Sequence, residues 1–402
     1  MTTVSRAAKF AERTAHLRAS TIREMLKVTQ QPDIISFGGG LPAPELFPTS
    51  GIAEAARRVM ELRGAAALQY SVTEGLSEMR CWVAERLTRR TTRIFEAEEV
   101  TIVNGSQQGL DLVGKIFLDP GDHVVLENPS YLGAIQAFDA YQARYLTVDT
   151  DENGMIPKSL ERVLDRADPF PKLVYLVPNF QNPTGRTLSR ERREPIVRIC
   201  ERYDVPIVED DPYGELRFEG ADIPSLVSYE SAAPILYSGT GSKIMAPGMR
   251  VAWLVIRDHE IREKIVLAKQ GADLHSGTFA QYVFHEYVSD GAAFDAHVAT
   301  IARTYRRRRD VMAEALRRIA SEGLQFVPPS GGMFLWVTVP GIDTTALLRV
   351  SAEQKVVFVP GVSFYPGRDV HEGMRLNFSN ASEEMIDVGI ERLGHAISTF
   401  KR

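Results

Sequence analysis

The sequence predicts an α/β fold, in which a mostly parallel sheet is covered by helices and is followed by a smaller α+β domain. Short runs rich in β-branched residues alternate with helical stretches between about residues 100 and 260. This alternation is typical of parallel sheets, because each parallel strand is reached through a crossover connection. After about residue 276, a mainly helical stretch is followed by separated short strands, which indicates the second, smaller domain.

Strands and helices follow each other in regular order in the larger part. Strands are predicted at residues 100–103, 123–126, 173–177, 206–209, 235–237 and 251–255. Helices are predicted at residues 106–118, 131–141, 156–165, 190–203 and 258–270. In such sheets the ligand binds at the carboxyl ends of the strands, so we expect the functional residues in the loops that follow them.

Further elements are predicted on both sides of this alternating part. Thr21 and Glu24 form a capping box, which predicts a helix over residues 21–30. A loop rich in Gly and Pro at residues 33–51 precedes helices at residues 51–63 and 76–90. Downstream, the pattern predicts a long helix at residues 302–321, strands near 333–338, 356–359 and 374–379, and a last helix at 383–399.

Length, charge and cysteine content exclude several classes of protein. The 402 residues are enough for two or three domains, and the net charge of −5 argues against nucleic-acid binding through bulk positive charge. Cys81 and Cys200 are too few for a disulfide framework, which favours the cytoplasm. Residues 323–342 carry no formal charge, but their prolines predict turns and a strand instead of a membrane span. Residues 1–18 lack the apolar segment of a secretory signal.

Two of the strand-end loops contain the residues of an anion site. Residues 104–108 (Asn-Gly-Ser-Gln-Gln) open a helix, whose free N–H groups attract an anion, although an ordinary helix cap is the alternative. Residues 238–243 (Ser-Gly-Thr-Gly-Ser-Lys) are followed by Arg250, and together they can hold a phosphate. A desolvated Lys243 would have a lowered pKa and could attack a carbonyl carbon, whereas a solvated loop lysine is the alternative.

The other two loops supply hydrogen-bonding and acidic groups. Asn182 begins an Asn-Pro-Thr-Gly turn, and turn formation alone would explain that segment. Asp210, Asp211 and Tyr213 follow a buried strand. A buried carboxylate needs a positive partner, which we expect for Asp210, whereas Asp211 fits a solvated loop acid. A phosphate cradle together with an Asp, an Asn, a Tyr and a Lys is the set that a pyridoxal phosphate site needs.

The order of these motifs resembles that of the fold-type I, pyridoxal-phosphate-dependent aminotransferases of class I and II over nearly the whole chain. The similarity is carried by residues 36–42 (Ser-Phe-Gly-Gly-Gly-Leu-Pro), 68–71 (Leu-Gln-Tyr-Ser), 105–108, 182–185 and 242–243. Residues 20–24 (Ser-Thr-Ile-Arg-Glu) make the chain most similar to the subgroup of 2-aminoadipate aminotransferases and MocR-type regulators. The resemblance implies a seven-stranded sheet in a large cofactor-binding domain (residues 51–290), a small domain (291–402) and an N-terminal segment (1–50) that joins the small domain.

The resemblance also implies roles for the residues of the cofactor site. Lys243 would bind the cofactor's aldehyde and move the proton at the substrate's α-carbon, and Asp210 would keep the pyridine nitrogen protonated. Asn182 and Tyr213 would hydrogen-bond the ring hydroxyl, and Tyr131 would stack on the ring. The phosphate would be held by Ser106, Gln107, Thr240, Ser242 and Arg250. The residue that matches Tyr70 reaches the neighbouring subunit's phosphate in this family, which implies a homodimer with shared active sites.

Arg375 is the implied partner of the substrate's α-carboxylate, because a guanidinium can donate two parallel hydrogen bonds to it. Alternation with Met374 and Leu376 places Arg375 on a polar face, which is directed either at solvent or at the cleft. The family position favours the cleft. Gly40 and Asn182 are also implied to contact the substrate.

Arg23 is implied to recognise the substrate's side chain. A cation in the first turn of a helix opposes the helix dipole, so Arg23 is out of place by local rules. In the aminoadipate subgroup this position belongs to a mobile helix that recognises a distal carboxylate. We expect Arg23, with Ser20 nearby, to bind the side-chain carboxylate of glutamate or 2-aminoadipate, and an unrelated surface arginine is the alternative.

The implied activity is ping-pong transamination between an L-amino acid and a 2-oxo acid through pyridoxamine phosphate. Glutamate and 2-oxoglutarate are expected as one pair, with 2-aminoadipate, a branched-chain or an aromatic amino acid in the other. A lyase that uses the same cofactor and a non-catalytic ligand sensor are the alternatives. MocR-type regulators carry a DNA-binding domain ahead of this fold, whereas the similarity here begins by about residue 20, which favours the enzyme.

Residues 306–309, four consecutive arginines, are the remaining basic motif. Four consecutive helical residues cannot share one face, so we expect a solvated helix surface and no nucleic-acid partner. Histidines show no paired metal spacing, and no HExxH or CxxC motif occurs, so we expect no metal.

Replacing Arg23 with Ala should lower kcat/KM for glutamate by roughly tenfold or more, since a hydrogen bond to a charged group contributes about 1.5–3 kcal/mol. Steady-state kinetics with glutamate and with leucine measure the effect, and leucine serves as the control because it has no distal carboxylate. An unchanged kcat/KM for glutamate, or an equal loss for both substrates, would reject this role.

Overall fold

The computed structural model describes residues 10–11, 13–14, 33–91 and 93–401. The strands, in chain order, are β1 (Ile35–Ser36), β2 (Val100–Val103), β3 (His123–Asn128), β4 (Arg144–Asp151), β5 (Gly154–Met155), β6 (Leu173–Leu176), β7 (Ile207–Asp210), β8 (Ile235–Thr240), β9 (Ala252–Ile256), β10 (Gln325–Phe326), β11 (Phe334–Thr338), β12 (Val356–Val357), β13 (Val359–Pro360) and β14 (Gly373–Asn377).

The α-helices, in chain order, are α1 (Thr49–Ala67), α2 (Ser77–Arg90), α3 (Ser106–Phe117), α4 (Leu132–Asp139), α5 (Pro157–Arg166), α6 (Arg190–Arg202), α7 (His259–Asp273), α8 (Thr278–Val288), α9 (Gly291–Arg318), α10 (Thr344–Glu353) and α11 (Glu383–Phe400). The predicted helix at residues 21–30, with Arg23 and Ser20, lies outside the described residues.

The large sheet has the strand order β2-β9-β8-β7-β6-β3-β4-β5. Strands β4, β3, β6, β7 and β8 are parallel, β9 runs antiparallel between β8 and β2, and the two-residue β5 is an antiparallel addition at the edge. Every residue of β2, β3, β6, β7, β8 and β9 is buried, because helices cover the sheet and leave these strands no solvent face. The predicted mostly parallel sheet is confirmed, and the short β5 adds an eighth strand to the seven that were expected.

The connectivity of this sheet brings the functional loops together. Strands β6, β7 and β8 are adjacent and parallel, so the loops after Leu176, Asp210 and Thr240 leave the same edge. The end of β2 joins them, because Val103 pairs with Ala252 at the start of β9. Four loops that are far apart in sequence therefore open on one side of the sheet.

A second, antiparallel sheet has the order β10-β11-β14-β13, and helix α11 packs against α9 and α10. Strand β1 pairs in parallel with β12, so residues 35–36 lie with the C-terminal part of the chain. On this basis we propose the division into an N-terminal segment (1–50), a large domain (51–290) and a small domain (291–402).

Several described elements had no counterpart in the sequence prediction: the two-residue strands β1, β5 and β10, and the longer β4 and α10. Strand β4 carries charged residues, including Arg144, Asp149 and Asp151, and only Val148 of its eight residues is fully buried, so it lacks an apolar run. Helix α10 was also missed. The long helix α9 begins at Gly291 and not at residue 302, because the Asp290 side chain accepts a hydrogen bond from the backbone N–H of Ala293 and caps it there.

Residues 323–342 contain turns and strand β11, as predicted, and also the short strand β10, which was not predicted. None of the described helices combines the length and the apolar character that crossing a bilayer requires.

The arginine run at residues 306–309 is not a uniformly solvated surface, and that expectation is wrong for two of its members. Arg308 donates to the carbonyl of Ser379, and its side chain is 9% exposed. Arg309 donates to the carbonyl of Pro329, and its side chain is 5% exposed. Because α9 packs on other elements along one side, the adjacent Arg308 and Arg309 lie on its buried side and the other two arginines lie on its exposed side.

Candidate active site

A cavity of about 260 Å³ lies where the strand-end loops of the large sheet meet the small domain. The predicted site residues that line it are Gly40, Ser106, Gln107, Tyr131, Asn182, Asp210, Tyr213, Thr240, Ser242, Lys243, Arg250 and Arg375. The lining residues that the sequence did not single out are Val177, Pro212, Pro247 and Phe334. Tyr70 is not part of the lining, and its side chain is largely exposed.

Asp210 ends strand β7 and places a buried carboxylate in this cavity. It is 2% exposed, and its Oδ2 accepts a hydrogen bond of 2.9 Å from the Tyr175 hydroxyl. Its Oδ1 makes no hydrogen bond within the described part of the chain. Burial raises the pKa of Asp210 to about 6, and the hydrogen bond from Tyr175 acts in the opposite direction. A positive group beside Oδ1 would satisfy this carboxylate.

The neighbouring Asp211 is buried, at 6% exposure, so its interpretation as a solvated loop acid is wrong. Its Oδ1 accepts a hydrogen bond of 2.9 Å from Asn179 Nδ2. Asn179 Oδ1 in turn accepts a hydrogen bond of 2.7 Å from Nη2 of Arg193, which is completely buried. This network places a buried cation behind Asp211, which offsets the desolvation of its charge.

Lys243 Nζ lies in the cavity and donates a hydrogen bond of 3.0 Å to the carbonyl of Gly40. Burial lowers the pKa of Lys243 to about 8, and the nearby cations Arg375 and Arg250 act in the same direction. A substantial fraction of the amine is therefore neutral near pH 7.5, and a neutral amine can act as a nucleophile or a base.

Arg375 faces the cavity from strand β14 and is 1% exposed. Its Nη1 donates 2.9 Å to Asn182 Oδ1, and its Nη2 donates 2.6 Å to the carbonyl of Gly38. The guanidinium carbon lies 4.3 Å from the centre of the Phe334 ring, and Nε has no hydrogen-bond partner among the described residues. Burial lowers the pKa of Arg375 to about 10, so it stays charged near neutrality and can bind a carboxylate.

The other end of the cavity is an anion cradle at the start of α3. Gly105 has φ of 80°, and a Cβ built there would lie 2.0 Å from Arg250 Nη2, so the approach of Arg250 requires glycine. Ser106 begins the helix, whose first N–H groups have no partner within the helix. Thr240 Oγ1 and Ser242 Oγ, 3.0 Å apart, add hydroxyl groups.

Comparison with known proteins identifies the family. The family model described as "Aminotransferase class I and II" matches residues 33–393. The chain belongs to this family. It is 43% identical to the 2-aminoadipate transaminase of Thermus thermophilus over 96% of both chains. It is 41% identical to aromatic-amino-acid aminotransferase 1 of Thermococcus litoralis, over 96% of this chain and 94% of that one.

A solved structure is similar over almost its whole length. It is the alpha-aminoadipate aminotransferase of Thermus thermophilus complexed with N-(5'-phosphopyridoxyl)-L-leucine, with a TM-score of 0.90, 40% identity and 98% coverage of each chain. The fold is that of the fold-type I enzymes, and the protein is a pyridoxal-phosphate-dependent aminotransferase, as the sequence predicts.

The cavity of this aminotransferase fits pyridoxal phosphate. Asp210 Oδ1 is a buried acceptor that has no hydrogen-bond partner among the described residues, which suits a protonated pyridine nitrogen. The start of α3 with Arg250 suits a phosphate, because helix N–H groups and a guanidinium both favour an anion.

Gln108 connects the anion cradle of the aminotransferase to a buried lysine. Its Oε1 accepts 2.6 Å from the backbone N–H of Asn104, and its Nε2 donates 2.7 Å to Asp273 Oδ2. Lys269 is fully buried and donates 2.7 Å to Asp273 Oδ1 and 3.0 Å to Ser276 Oγ. The sequence placed Gln108 in the loop but carried no signal for this support, because Asp273 and Lys269 come from the distant helix α7.

In the cofactor-free protein, Lys243 should react with an amine-acylating reagent half-maximally near pH 8, because only the neutral amine reacts and burial lowers its pKa. Competitive labelling followed by mass spectrometry across pH 6–11 (a range of about five units) measures this midpoint. Arg375→Met removes one of the two nearby cations and should move the midpoint to higher pH. A midpoint near the ordinary value of 10.5 would contradict the prediction.

Gln108→Leu should weaken pyridoxal phosphate binding by roughly fivefold or more, because it removes the hydrogen bonds to Asn104 N–H and to Asp273 Oδ2, which contribute about 0.5–1.5 kcal/mol each, while Asp273 keeps its hydrogen bonds from Lys269. Equilibrium titration of the cofactor-free protein measures the dissociation constant. Gln136→Leu, the same change on helix α4, is the control and should leave it within about twofold. Equal affinities of the two variants would show that Gln108 does not position the cradle.

Proposed function

We propose that this aminotransferase exchanges the amino group of glutamate with that of a second substrate, which is 2-aminoadipate, a branched-chain or an aromatic amino acid. The observation that carries the proposal is the cavity that joins the Lys243 amine with Asp210 Oδ1 and Arg375 Nε, two atoms that no described residue hydrogen-bonds. When bound, pyridoxal phosphate supplies an aldehyde that takes up the amino group and a ring that withdraws electrons from the α-carbon.

The ring would be held from three sides. Asp210 Oδ1 would accept a hydrogen bond from the protonated pyridine nitrogen, and its negative charge would stabilise the positive charge of that nitrogen. Asn182 Oδ1 is already occupied by Arg375, which leaves Asn182 Nδ2 to donate to the ring hydroxyl together with Tyr213. Burial raises the pKa of Tyr131 to about 12, so it stays a neutral aromatic ring that can stack on the cofactor.

The phosphate would be held by Ser106, Gln107, Thr240, Ser242 and Arg250. All five line the same end of the cavity, at the start of α3 and after β8. The hydroxyl groups and N–H groups donate hydrogen bonds, and Arg250 supplies the balancing positive charge.

Lys243 Nζ would remove the proton from the substrate's α-carbon and return it to the neighbouring carbon of the cofactor. A base works best when its pKa lies near the working pH, and the lowered pKa of Lys243, about 8, fits that requirement. Arg375 would bind the α-carboxylate and so orient the α-carbon towards Lys243. The Phe334 ring on its guanidinium face excludes water from that contact.

The substrate's side chain needs recognition by further groups. Among the described residues that line the cavity, the cations are Lys243, Arg250 and Arg375, and each has another role above. A distal carboxylate therefore needs an additional cation, for which we propose Arg23 with Ser20. Phe334 and Tyr131 give the cavity aromatic surface, which supports apolar side chains. The leucine adduct bound to the Thermus relative also supports them.

We propose a homodimer with shared active sites, in which Tyr70 reaches the partner's phosphate site. Leu68, Tyr70 and Val72 are all more than half exposed. Leu274, at 49% exposure, precedes His275, whose ring contacts Tyr70 at a centroid distance of 5.7 Å. Exposed apolar residues in a connected group are typical of a protein interface. The scarcity of cysteines supports a cytoplasmic location.

A half-reaction screen tests the proposal. The pyridoxal form is mixed with single amino acids, and the loss of its visible absorbance is followed together with the products by mass spectrometry. Glutamate should give 2-oxoglutarate, and 2-aminoadipate, leucine or phenylalanine should give its 2-oxo acid. Products of bond cleavage would indicate the alternative lyase, and binding without any product would indicate a sensor.

In the same screen, Lys243→Ala should lower the rate at least about a hundredfold, because a positioned acid–base group contributes 10²–10⁴ in rate. Circular dichroism should show an unchanged fold. Lys158→Ala, at a helix start outside the cavity, is the matched control and should retain the rate. A Lys243→Ala protein that is as fast as this control would reject the assignment.

A further inference from the structure

A second and larger cavity, of about 640 Å³, lies between helices α2 and α9. It shares no lining residue with the active-site cavity. We call it the arginine groove, after the six arginines that line it: Arg86, Arg89, Arg90, Arg217, Arg303 and Arg306. Three carboxylates also line it, those of Glu215, Asp222 and Asp295. The groove thus has an excess of positive charge in a chain whose net charge is −5.

Two of the arginines form ion pairs with the three carboxylates of the groove. Arg86 pairs with Glu215 and lies 2.9 Å from Asp295 Oδ1, and its side chain is only 10% exposed. Arg217 Nε lies 3.3 Å from Asp222 Oδ1. These pairs build the wall of the groove.

Arg89, at the end of α2, lacks a counter-charge, whereas its neighbour Arg90 is neutralised. Arg90 Nη1 is 3.6 Å from Glu215 Oε1. Burial acts to lower the pKa of Arg90, but the carboxylates of Glu215, Asp211 and Asp222 raise it well above its ordinary value. Arg89 has no hydrogen bond or ion pair to any part of the chain that the structure describes. Lysines or arginines at a helix end are favoured by the helix dipole, but the dipole does not supply a full counter-charge.

Arg303 and Arg306, on α9, are likewise short of counter-charge. Arg303 Nη2 donates 2.8 Å to the Thr300 hydroxyl, which is neutral. Arg306 Nη2 lies 3.8 Å from Glu219 Oε1, and that carboxylate is already paired with Arg309. Three guanidinium groups, those of Arg89, Arg303 and Arg306, therefore face one concavity with less negative charge than they need.

We propose that the arginine groove binds a small multivalent oxyanion. Guanidinium groups bind phosphate and carboxylate oxygens in pairs of parallel hydrogen bonds, and a concave site with low-dielectric walls concentrates the positive potential. Val298, Ala299 and Ala302 of α9 supply such an apolar wall. A phosphate compound and a polycarboxylate share the chemistry that this site recognises.

Isothermal titration of the holoenzyme at low salt tests the proposal, because bound pyridoxal phosphate already fills the cradle at α3. Pyrophosphate and citrate are the two probes. The test variant is Arg303→Gln/Arg306→Gln, and the control is Arg307→Gln/Arg317→Gln, which removes equal charge from the same helix. Arg307 and Arg317 pair instead with Glu383 and Glu314, outside the groove.

The groove variant should bind the probe at least tenfold more weakly than the unsubstituted holoenzyme, whereas the control should stay within about twofold of it. Both should keep the transamination rate and the circular dichroism of the unsubstituted protein. Binding of pyrophosphate alone would identify a phosphate ligand, and binding of citrate alone a polycarboxylate. No binding of either probe at millimolar concentration, or equal weakening in both variants, would overturn the proposal.

Discussion

The burial of the Asp210 carboxylate is the constraint on which the active site depends. Strand β7 is buried along its whole length, so a charge at its carboxyl end cannot reach water. Tyr175 satisfies one oxygen, and the other points to a cavity in which only a cation would balance it. The parallel sheet creates this situation, because it buries the strands and gathers the loops that follow them at one edge. A cofactor with a positively charged ring nitrogen would neutralise the carboxylate that the fold buries.

Arg375 is a second buried charge, and it also connects distant parts of the chain. It belongs to β14, and its guanidinium donates to Asn182 in the loop after β6 and to Gly38 in the N-terminal segment. One side chain thus connects three parts of the sequence that are far apart. The Phe334 and Phe364 rings, at 4.3 and 5.4 Å, make a buried cation tolerable without a carboxylate of its own. We propose that its Nε, which has no hydrogen-bond partner among the described residues, binds a substrate carboxylate.

Charge placement differs between the two cavities. In the active site, each cation faces a distinct group. Burial, together with Arg375 and Arg250, lowers the pKa of Lys243 to about 8. In the arginine groove, the cations are alike and share too few carboxylates. The four consecutive arginines of α9 show how the helix divides such a run: Arg308 and Arg309 point inward, Arg306 faces the groove, and Arg307 pairs with Glu383.

The fold class and most of the site could be read from the sequence, because both depend on local patterns. Apolar runs that alternate with helical periodicity predicted the sheet, and small, hydroxyl and charged residues at strand ends predicted the loops that line the cavity. Elements without such a pattern were missed, among them β4, whose polar residues occupy a partly exposed strand next to the sheet edge. The domain boundaries, the dimer and the roles of the site residues remain predictions.

The sequence alone determined which chemical groups are present and in what order. Only the tertiary structure decided which of them lose contact with water and which lie together, because burial and proximity depend on packing between distant segments. It made Asp211 a buried acid balanced through Asn179, and it gave Asn104 its support from Lys269 through Asp273 and Gln108. It also gathered arginines of α2 and α9 into one groove. The Asn179–Asp211 and Gln108–Asp273 hydrogen bonds have no local signal in the sequence, since each joins residues more than 30 positions apart.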